Sequence, residues 1–156
     1  MTGLEDLYRE IVLDHYRNPR NKGEINTPTA VRVEGFNPLC GDEIVVTLDL
    51  NPDGTLNIKI DGRGCSISQS SASLMSETIK GSQIKEARNK VTTFKNMMTI
   101  HENSLESSDD NETSFDIESL GELAALQGVV KFPVRIKCAT LAWNTLLEGL
   151  DDLEKD

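Results

Sequence analysis

Residues 37–42 (NPLCGD) place a cysteine and an aspartate on either side of a glycine, just before a strongly apolar stretch. Glycine permits a sharp backbone bend, so the side chains of Cys40 and Asp42 can point at one centre. Thiolates and carboxylates are both anionic ligands of divalent metals. Two further cysteines, Cys65 and Cys138, are available to converge on that centre. Three thiolates and one carboxylate would form a closed four-coordinate metal site.

The spacing of the cysteines is by itself a weak signal, because they are far apart and form no Cys-x-x-Cys pair. Free cysteine is among the most buried residue types, so three small core side chains are the competing interpretation. Cys40 and Cys65 nevertheless stand beside glycines in predicted turns rather than inside apolar runs. Cys65 also precedes a predicted helix N-terminus, whose dipole and free amides favour a thiolate.

Cys138 differs from the other two because it lies in a predicted helix, after the basic residues Arg135 and Lys137. Cationic neighbours lower the pKa of a thiol. They would also offset the negative charge that remains when four anionic ligands surround a dication. A solvated helix face is the ordinary role of such bases and stays the alternative. The two histidines, His15 and His101, lie near no cysteine in sequence, and we interpret them as structural or surface residues, with metal ligation the lesser option.

Apolar periodicity predicts a helix, then three strands, then further helices, which is the order of an α+β fold. The first helix should end before Pro19, because the residue before a proline is pushed out of helical geometry. A turn at residues 51–54 (NPDG) joins the second and third strands in a hairpin. Ser66 and Gln69 have the spacing of a capping box, which predicts a helix start. The predicted strands cover residues 30–34, 43–50 and 56–61, and the predicted later helices cover 66–80, 83–100, 117–127 and a last one that begins at Phe132-Pro133.

The chain has 156 residues, and we expect residues 1–156 to form a single domain. Its formal net charge of −10 argues against nucleic acid and anionic membranes as partners. The first residues carry acids and no long apolar run, which predicts neither a signal peptide nor a transmembrane helix. An odd number of cysteines indicates a reducing, cytoplasmic compartment. Residues 102–118 contain seven acids and no Lys or Arg, and we expect an acidic surface insertion there.

Four motifs in order along the chain resemble those of the U-type iron–sulfur cluster assembly scaffold family, which includes IscU-like, NifU-like and SufU proteins. They are residues 14–23 (DHYRNPRNKG), 37–42 (NPLCGD), 64–68 (GCSIS) and Cys138. The resemblance covers nearly the whole chain. It implies an α+β fold with a three-stranded antiparallel sheet packed against several helices. It also implies that Cys40, Asp42, Cys65 and Cys138 are metal ligands.

Three departures from the classical scaffold pattern look like the SufU branch of the family. Lys137 stands where the classical scaffold has a histidine before its last cysteine. Residues 131–135 (KFPVR) replace the Leu-Pro-Pro-Val-Lys stretch that chaperones recognise in classical scaffolds. The acidic insertion between Cys65 and Cys138 is longer as well. The SufU branch resembles a zinc-containing sulfurtransferase, so the resemblance implies a zinc ion and a SufS-type cysteine desulfurase that hands over sulfur as a persulfide.

Sulfur transfer for iron–sulfur cluster assembly is therefore the leading hypothesis for the function. In it, Cys40 is the nucleophile that takes the persulfide sulfur and Arg135 stabilises the freed thiolate, while Cys65 and Cys138 mainly hold zinc. Downstream iron–sulfur assembly proteins would receive the sulfur. The second hypothesis is a scaffold on which a cluster is itself assembled, because thiolates are also the usual cluster ligands. A structural zinc domain that only binds partners is the third.

Overall fold

A computed structural model describes residues 3–106 and 121–155 of the chain. In these residues a helix is followed by three strands and then by further helices, so the predicted α+β order is confirmed. The elements are α1 (Gly3–Arg17), β1 (Val31–Asn37), β2 (Asp42–Leu50), β3 (Leu56–Arg63), α2 (Ser66–Ile79), α3 (Ile84–Glu106), a 3₁₀ helix (Gly121–Lys131) and α4 (Pro133–Lys155).

The three strands form one antiparallel sheet in the order β1-β2-β3. Asn37 at the end of β1 is opposite Asp42 at the start of β2, and Glu43 is opposite Arg63 at the end of β3. The connection between β1 and β2 and the chain that leaves β3 therefore meet at the same end of the sheet. This end carries Cys40 and leads directly to Cys65.

The strands are longer than predicted at that end. β1 continues to Asn37, three residues beyond its predicted end at residue 34, and β3 continues through Gly62 to Arg63, two residues beyond its predicted end at residue 61. Backbone pairing with β2 extends the third strand past Gly62, because Arg63 is paired with Glu43. Arg63 Nε also donates a hydrogen bond to Glu43 Oε2 at 3.0 Å. The predicted hairpin at residues 51–54 is confirmed, with Asn51 N donating to Thr55 O at 2.8 Å.

The core lies between the sheet and the helices α2, α3 and α4. Trp143 of α4 is completely buried and stacks on Phe94 of α3, with ring centroids 4.4 Å apart. Its Nε1 donates to Ser71 Oγ at 3.1 Å, and that hydroxyl in turn donates to Ala139 O at 2.6 Å. These bonds tie α2 to α4, the two helices whose N-terminal ends carry Cys65 and Cys138. The frame that positions both cysteines is thus rigidly packed.

Three helix predictions are corrected. The cap of α2 is Cys65, whose side chain accepts a hydrogen bond from Ser68 N, so the predicted capping box of Ser66 and Gln69 is wrong. Helix α3 continues to Glu106, past the residue 102 at which the acidic insertion was expected to begin. The segment before α4 is a 3₁₀ helix from Gly121 to Lys131, whereas a helix over 117–127 was predicted. The remainder of the acidic insertion, from 107 to 118, lies outside the described residues.

The expected end of α1 before Pro19 and the start of α4 at Pro133 are both confirmed. Among the described helices, none combines the length and the apolar character needed to cross a membrane.

Candidate metal centre

Four predicted ligands meet at the end of the sheet that β1, β2 and β3 share. Cys40 lies in the turn between β1 and β2, Asp42 begins β2, Cys65 caps α2 and Cys138 lies in the second turn of α4. The Sγ atoms of Cys138 and Cys40 are 3.3 Å apart, and Cys65 Sγ is 3.9 Å from Asp42 Oδ2. One ligand atom each from Cys40, Asp42 and Cys138 lies within 4.8 Å of the other two. The tertiary structure thus brings together residues almost 100 positions apart.

The turn that carries Cys40 is held by the backbone of Asn37. The amides of Cys40 and Gly41 both donate to Asn37 O, at 3.3 and 2.8 Å. Gly41 has a φ of +72°, a left-handed conformation that glycine adopts without strain. Of the three thiols Cys40 is exposed, Cys65 is partly buried and Cys138 is buried. Cys40 is therefore the thiol that another molecule can reach.

Asp42 is completely buried, yet its surroundings favour the carboxylate form. Burial acts to raise its pKa, but hydrogen bonds from the Cys65 backbone, Cys138 and Ser68 outweigh that effect and lower the pKa below its ordinary value. The amide of Cys65 donates to Asp42 Oδ1 at 2.9 Å. An ionised, immobilised carboxylate is a suitable ligand for a divalent metal.

Cys65 occupies a position that commonly belongs to an oxygen-bearing side chain. As the cap of α2, its Sγ accepts from the amide of Ser68 at 3.5 Å. The helix N-terminus presents positive partial charge, which favours a thiolate over a thiol. The predicted setting of Cys65 beside a helix start is confirmed, although Cys65 itself, rather than Ser66, caps the helix.

Cys138 is completely buried, like Asp42. Its burial, followed by its hydrogen bonds with Cys40 and Asp42 and by the charge of Cys65, raises its pKa above the ordinary value. Arg135 attracts the thiolate of Cys138 as expected, but burial and the nearby thiol and carboxyl groups outweigh that attraction, so the net effect is a raised pKa. A raised pKa favours the protonated thiol, whereas a metal ion binds the thiolate. A bound dication would therefore lower the pKa of Cys138.

Arg135 faces the same centre from the first turn of α4. Its side chain is exposed, and its pKa is raised first by attraction to Cys65 and by a hydrogen bond to the same thiol, then by Cys138 and Cys40. The main interaction of the guanidinium is therefore with Cys65, whereas the sequence led us to expect it to act on Cys40. Its charge also attracts Cys138 and Cys40.

Two residues of the centre were not assigned a role from the sequence. The side-chain nitrogen of Asn37, Nδ2, is 3.5 Å from Asp42 Oδ2 and 3.6 Å from Cys138 Sγ. Its Oδ1 accepts a hydrogen bond from the backbone amide of Leu39 at 3.2 Å. Asn37 is buried, which the sequence does not reveal, although it opens the NPLCGD motif. Ser68 is also buried and contacts Cys65, a contact that its position three residues after that cysteine could have indicated.

The donor set fits a zinc ion. Zn²⁺ prefers four-coordinate sites of thiolate, imidazole and carboxylate ligands, with zinc–sulfur bonds of about 2.3 Å and hence sulfur atoms about 3.8 Å apart. The sulfur atoms of Cys138 and Cys40 are 3.3 Å apart, slightly closer than that value, and Cys65 Sγ lies 3.9 Å from the carboxylate oxygen of Asp42. The same thiols also suit an iron–sulfur cluster.

The one histidine side chain that the structure describes is not part of this site. His15 lies elsewhere and contacts Ser73, while the side chain of His101 is outside the described residues.

Residues 7–139 match the family described as the NifU-like N terminal domain. The chain belongs to this family. The resemblance to the U-type iron–sulfur cluster assembly scaffold proteins is thereby confirmed, and with it the three-stranded antiparallel sheet packed against helices.

Proteins similar to this chain carry the names of two branches of the family, SufU and IscU. A Bacillus subtilis (strain 168) protein named zinc-dependent sulfurtransferase SufU is 45% identical over 94% of this chain and 91% of its own. A Streptococcus pyogenes serotype M1 protein named iron–sulfur cluster assembly scaffold protein IscU is 36% identical over 96% of this chain and 86% of its own. A crystal structure from Fervidobacterium islandicum AW-1, of a candidate iron–sulfur cluster assembly scaffold protein for the SUF system, superposes with a TM-score of 0.76 at 30% identity, over 90% of this chain and 94% of that one.

Proposed function

We propose that this protein binds zinc and accepts sulfur, as a persulfide, from a cysteine desulfurase during iron–sulfur cluster assembly. The observation that carries the proposal is the difference in exposure among three converging thiols. Cys40 is exposed on a glycine turn, whereas Cys65 is held at a helix cap and Cys138 is buried. One thiol can leave the centre and react while the other two stay in place.

The ligands of the zinc ion would be Cys40, Asp42, Cys65 and Cys138. The metal, when bound, supplies the positive charge that keeps the thiolates deprotonated and protected from oxidation. The chain's own residues do the rest: Asn37 holds the turn, the backbone of Cys65 holds the carboxylate, and Arg135 adds a positive charge at the rim.

Sulfur transfer then follows the chemistry of thiol–disulfide exchange. The Cys40 thiolate attacks the terminal sulfur of the persulfide that the desulfurase carries on its own cysteine. A new sulfur–sulfur bond forms on Cys40, the donor's sulfur–sulfur bond breaks, and the donor cysteine leaves as a thiolate. The proton of the terminal sulfur stays with that sulfur, and no electrons are gained or lost overall.

The relatives support this branch of the family. The Bacillus subtilis protein, whose length is almost wholly covered, is named for zinc and for sulfur transfer. We propose the corresponding partners for this chain: a SufS-type cysteine desulfurase as donor, downstream iron–sulfur assembly proteins as acceptors, and the cytoplasm as the compartment. The formal net charge of −10 agrees with protein partners rather than nucleic acid.

Trapping the persulfide tests the transfer. The protein is incubated with a SufS-type desulfurase and cysteine, alkylated, digested and analysed by mass spectrometry. The extra sulfur should be found on the peptide that contains Cys40, and Cys40→Ser should abolish the label even in preparations that retain zinc. Extra sulfur on Cys65 or Cys138 with Cys40 unmodified would overturn the mechanism.

Metal analysis separates this function from cluster assembly on the same residues. After gentle anaerobic purification we expect about one zinc per chain and no visible colour, since Zn²⁺ has a filled d shell. A brown protein that contains iron and sulfide would instead support the scaffold function, for which thiolates are equally suitable ligands. A colourless zinc protein that accepts no sulfur from the desulfurase would leave only a structural role.

A further inference from the structure

A second group of side chains with metal-ligating atoms lies where α1, α2 and the 3₁₀ helix meet. It consists of His15, Glu77 and Glu122, one from each element, and their ligand atoms lie within 4.8 Å of one another. Glu77 is near the C-terminal end of α2, whereas Cys65 caps its N-terminus, so the two centres are about 18 Å apart along that helix. The metal centre described above uses none of these residues.

The imidazole of His15 is fixed in the interior with one nitrogen directed at the carboxylates. The residue is only 1% exposed. Its Nδ1 is 2.7 Å from Ser73 Oγ, while Nε2 is 3.4 Å from Glu122 Oε1 and 3.7 Å from Glu77 Oε1. When Nδ1 carries the proton and donates it to Ser73, the lone pair of Nε2 faces the two carboxylates. A hydrogen bond of this kind on the second ring nitrogen is the usual way in which a ligating histidine is oriented.

Ser73 can serve this purpose without losing its other contact. Its hydroxyl oxygen also accepts from the amide of Arg20 at 2.9 Å, and a hydroxyl has two lone pairs for two donors. The side chain of Arg20 is directed elsewhere, to Asp14 Oδ2 at 2.5 Å and to Asn18 O at 2.9 Å. The positive charge of the guanidinium attracts both glutamates, while its hydrogen bonds go to Asp14 and Asn18.

The convergence of two carboxylates on one imidazole nitrogen indicates a cation site. Two like charges at one point repel each other unless a positive charge lies between them. The side chains of Glu77 and Glu122 are 46% and 60% exposed, so water can complete the coordination of an ion from the solvent side. Imidazole and carboxylate ligands with open water positions suit divalent transition metals that prefer nitrogen and oxygen.

We propose that His15, Glu77 and Glu122 form a second metal site, for a divalent ion such as Mn²⁺ or Fe²⁺, oriented by Ser73. The site differs in kind from the thiol centre, because the soft sulfur ligands of that centre favour zinc or clusters, whereas the second site offers only nitrogen and oxygen. It joins α1, α2 and the 3₁₀ helix, so its ion also stabilises the packing of these three elements.

Mn²⁺ is the appropriate probe, because it has little affinity for thiolates and loses its free-ion electron paramagnetic resonance signal on binding. We expect the purified protein, with its zinc content measured beforehand, to bind about one Mn²⁺ per chain and to show a higher Tm in its presence. Glu77→Gln combined with Glu122→Gln should weaken binding by at least about tenfold, and Ser73→Ala should weaken it by about tenfold without removing a charge. Both glutamates are exposed, so the double variant should fold.

Two controls make the outcome specific. Glu34→Gln removes one negative charge from the sheet and should leave Mn²⁺ affinity unchanged, and Cys40→Ser should retain Mn²⁺ binding because the thiol centre is separate. Failure of the wild-type protein to bind Mn²⁺ overturns the proposal and identifies the group as a histidine–glutamate ion pair. Equal affinity in the wild type and the double variant, or an equal loss in Glu34→Gln, overturns it in favour of diffuse binding to acidic surface. These results do not depend on whether Cys40 accepts sulfur.

Discussion

Gly64 lies so close to Asp42 that a Cβ on Gly64 would stand 2.4 Å from Asp42 Oδ1 and 2.9 Å from its Cα. The same carboxylate oxygen accepts the amide of Cys65, the next residue in the chain. The missing side chain therefore allows the N-terminus of α2 to reach Asp42 and to fix the distance between Asp42 and Cys65. Both the contact with Asp42 and a φ of +153° therefore require glycine at position 64.

Gly64→Ala should reduce the zinc content well below one per chain. The added methyl group displaces the Asp42 carboxylate or the start of α2, and overpacking of this kind also costs about 1–3 kcal/mol of stability. Zinc content and the free energy of unfolding by denaturant measure both effects. Gly54→Ala is the matched control, since Gly54 also has a positive φ but a Cβ there would meet nothing within 4 Å. It should lose about 1 kcal/mol through backbone strain and keep its zinc. Full zinc in Gly64→Ala would contradict the assigned role of this contact.

Asn37→Ala should weaken zinc binding by about 10–100-fold, the usual effect of removing a group that orients metal ligands. Asn37 is buried and its side-chain amide lies beside both Asp42 and Cys138, so the variant leaves these two ligands less firmly held. Competition with a chromophoric chelator measures the affinity. Asn51→Ala, in the exposed turn at the other end of β2, should bind zinc as tightly as the wild type. An unchanged affinity in Asn37→Ala would show that the backbone of residue 37 alone organises the turn.

Arg135→Ala should leave the zinc content almost unchanged but slow persulfide transfer by about tenfold, a size expected for loss of a charged hydrogen bond to the reacting group. The guanidinium interacts with all three thiols from the exposed start of α4, where it can stabilise a thiolate that has left the metal. Transfer rates from the desulfurase and zinc content should be measured on the same preparations. Lys137→Ala removes an equal charge two residues away and should transfer sulfur normally. Equal losses in the two variants would indicate a general attraction of the partner to positive charge.

The stability of chelator-treated protein should decrease as the pH rises above 9. The folded state raises the pKa of Cys138 above its ordinary value of 9.0, first through burial, so the folded thiol keeps its proton at a pH where the unfolded chain has lost it. Unfolding then releases a proton, and the free energy of unfolding should fall by up to about 1.4 kcal/mol per pH unit. Below pH 9 this contribution is complete and independent of pH. Denaturant titrations at several pH values test it, and a slope that persists in Cys138→Ala would assign the effect to another group.

Much of the fold follows from local sequence alone. The alternation of apolar residues in β2 and β3, the turn at 51–54 and the prolines at 19 and 133 predict where these elements begin or end, because each acts through its own backbone neighbours. The motif around Cys40 likewise indicates a metal ligand pair, since Cys40 and Asp42 share one glycine turn. These features needed no knowledge of long-range contacts.

The sequence is less informative about how far the elements extend. β3 continues through Gly62 because β2 provides a paired neighbour, and pairing across a sheet is not visible in the residues of one strand. Helix α2 begins at Ser66 as predicted, but its cap is Cys65 rather than Ser66. In β3, a tertiary contact rather than local propensity decides where the strand ends.

The amino-acid sequence alone shows which residue types are available for metal binding, and the family motifs indicate the four ligands. The burial of Cys138, the exposure of Cys40, the attraction of Arg135 to Cys65 and the approach of His15 to Glu77 and Glu122 become visible only in the folded chain. The physical reason is that burial, charge and hydrogen bonding at each of these groups come from elements distant in the chain. Their combined effect exists only once the sheet, the helices α1, α2 and α4, and the 3₁₀ helix have packed together.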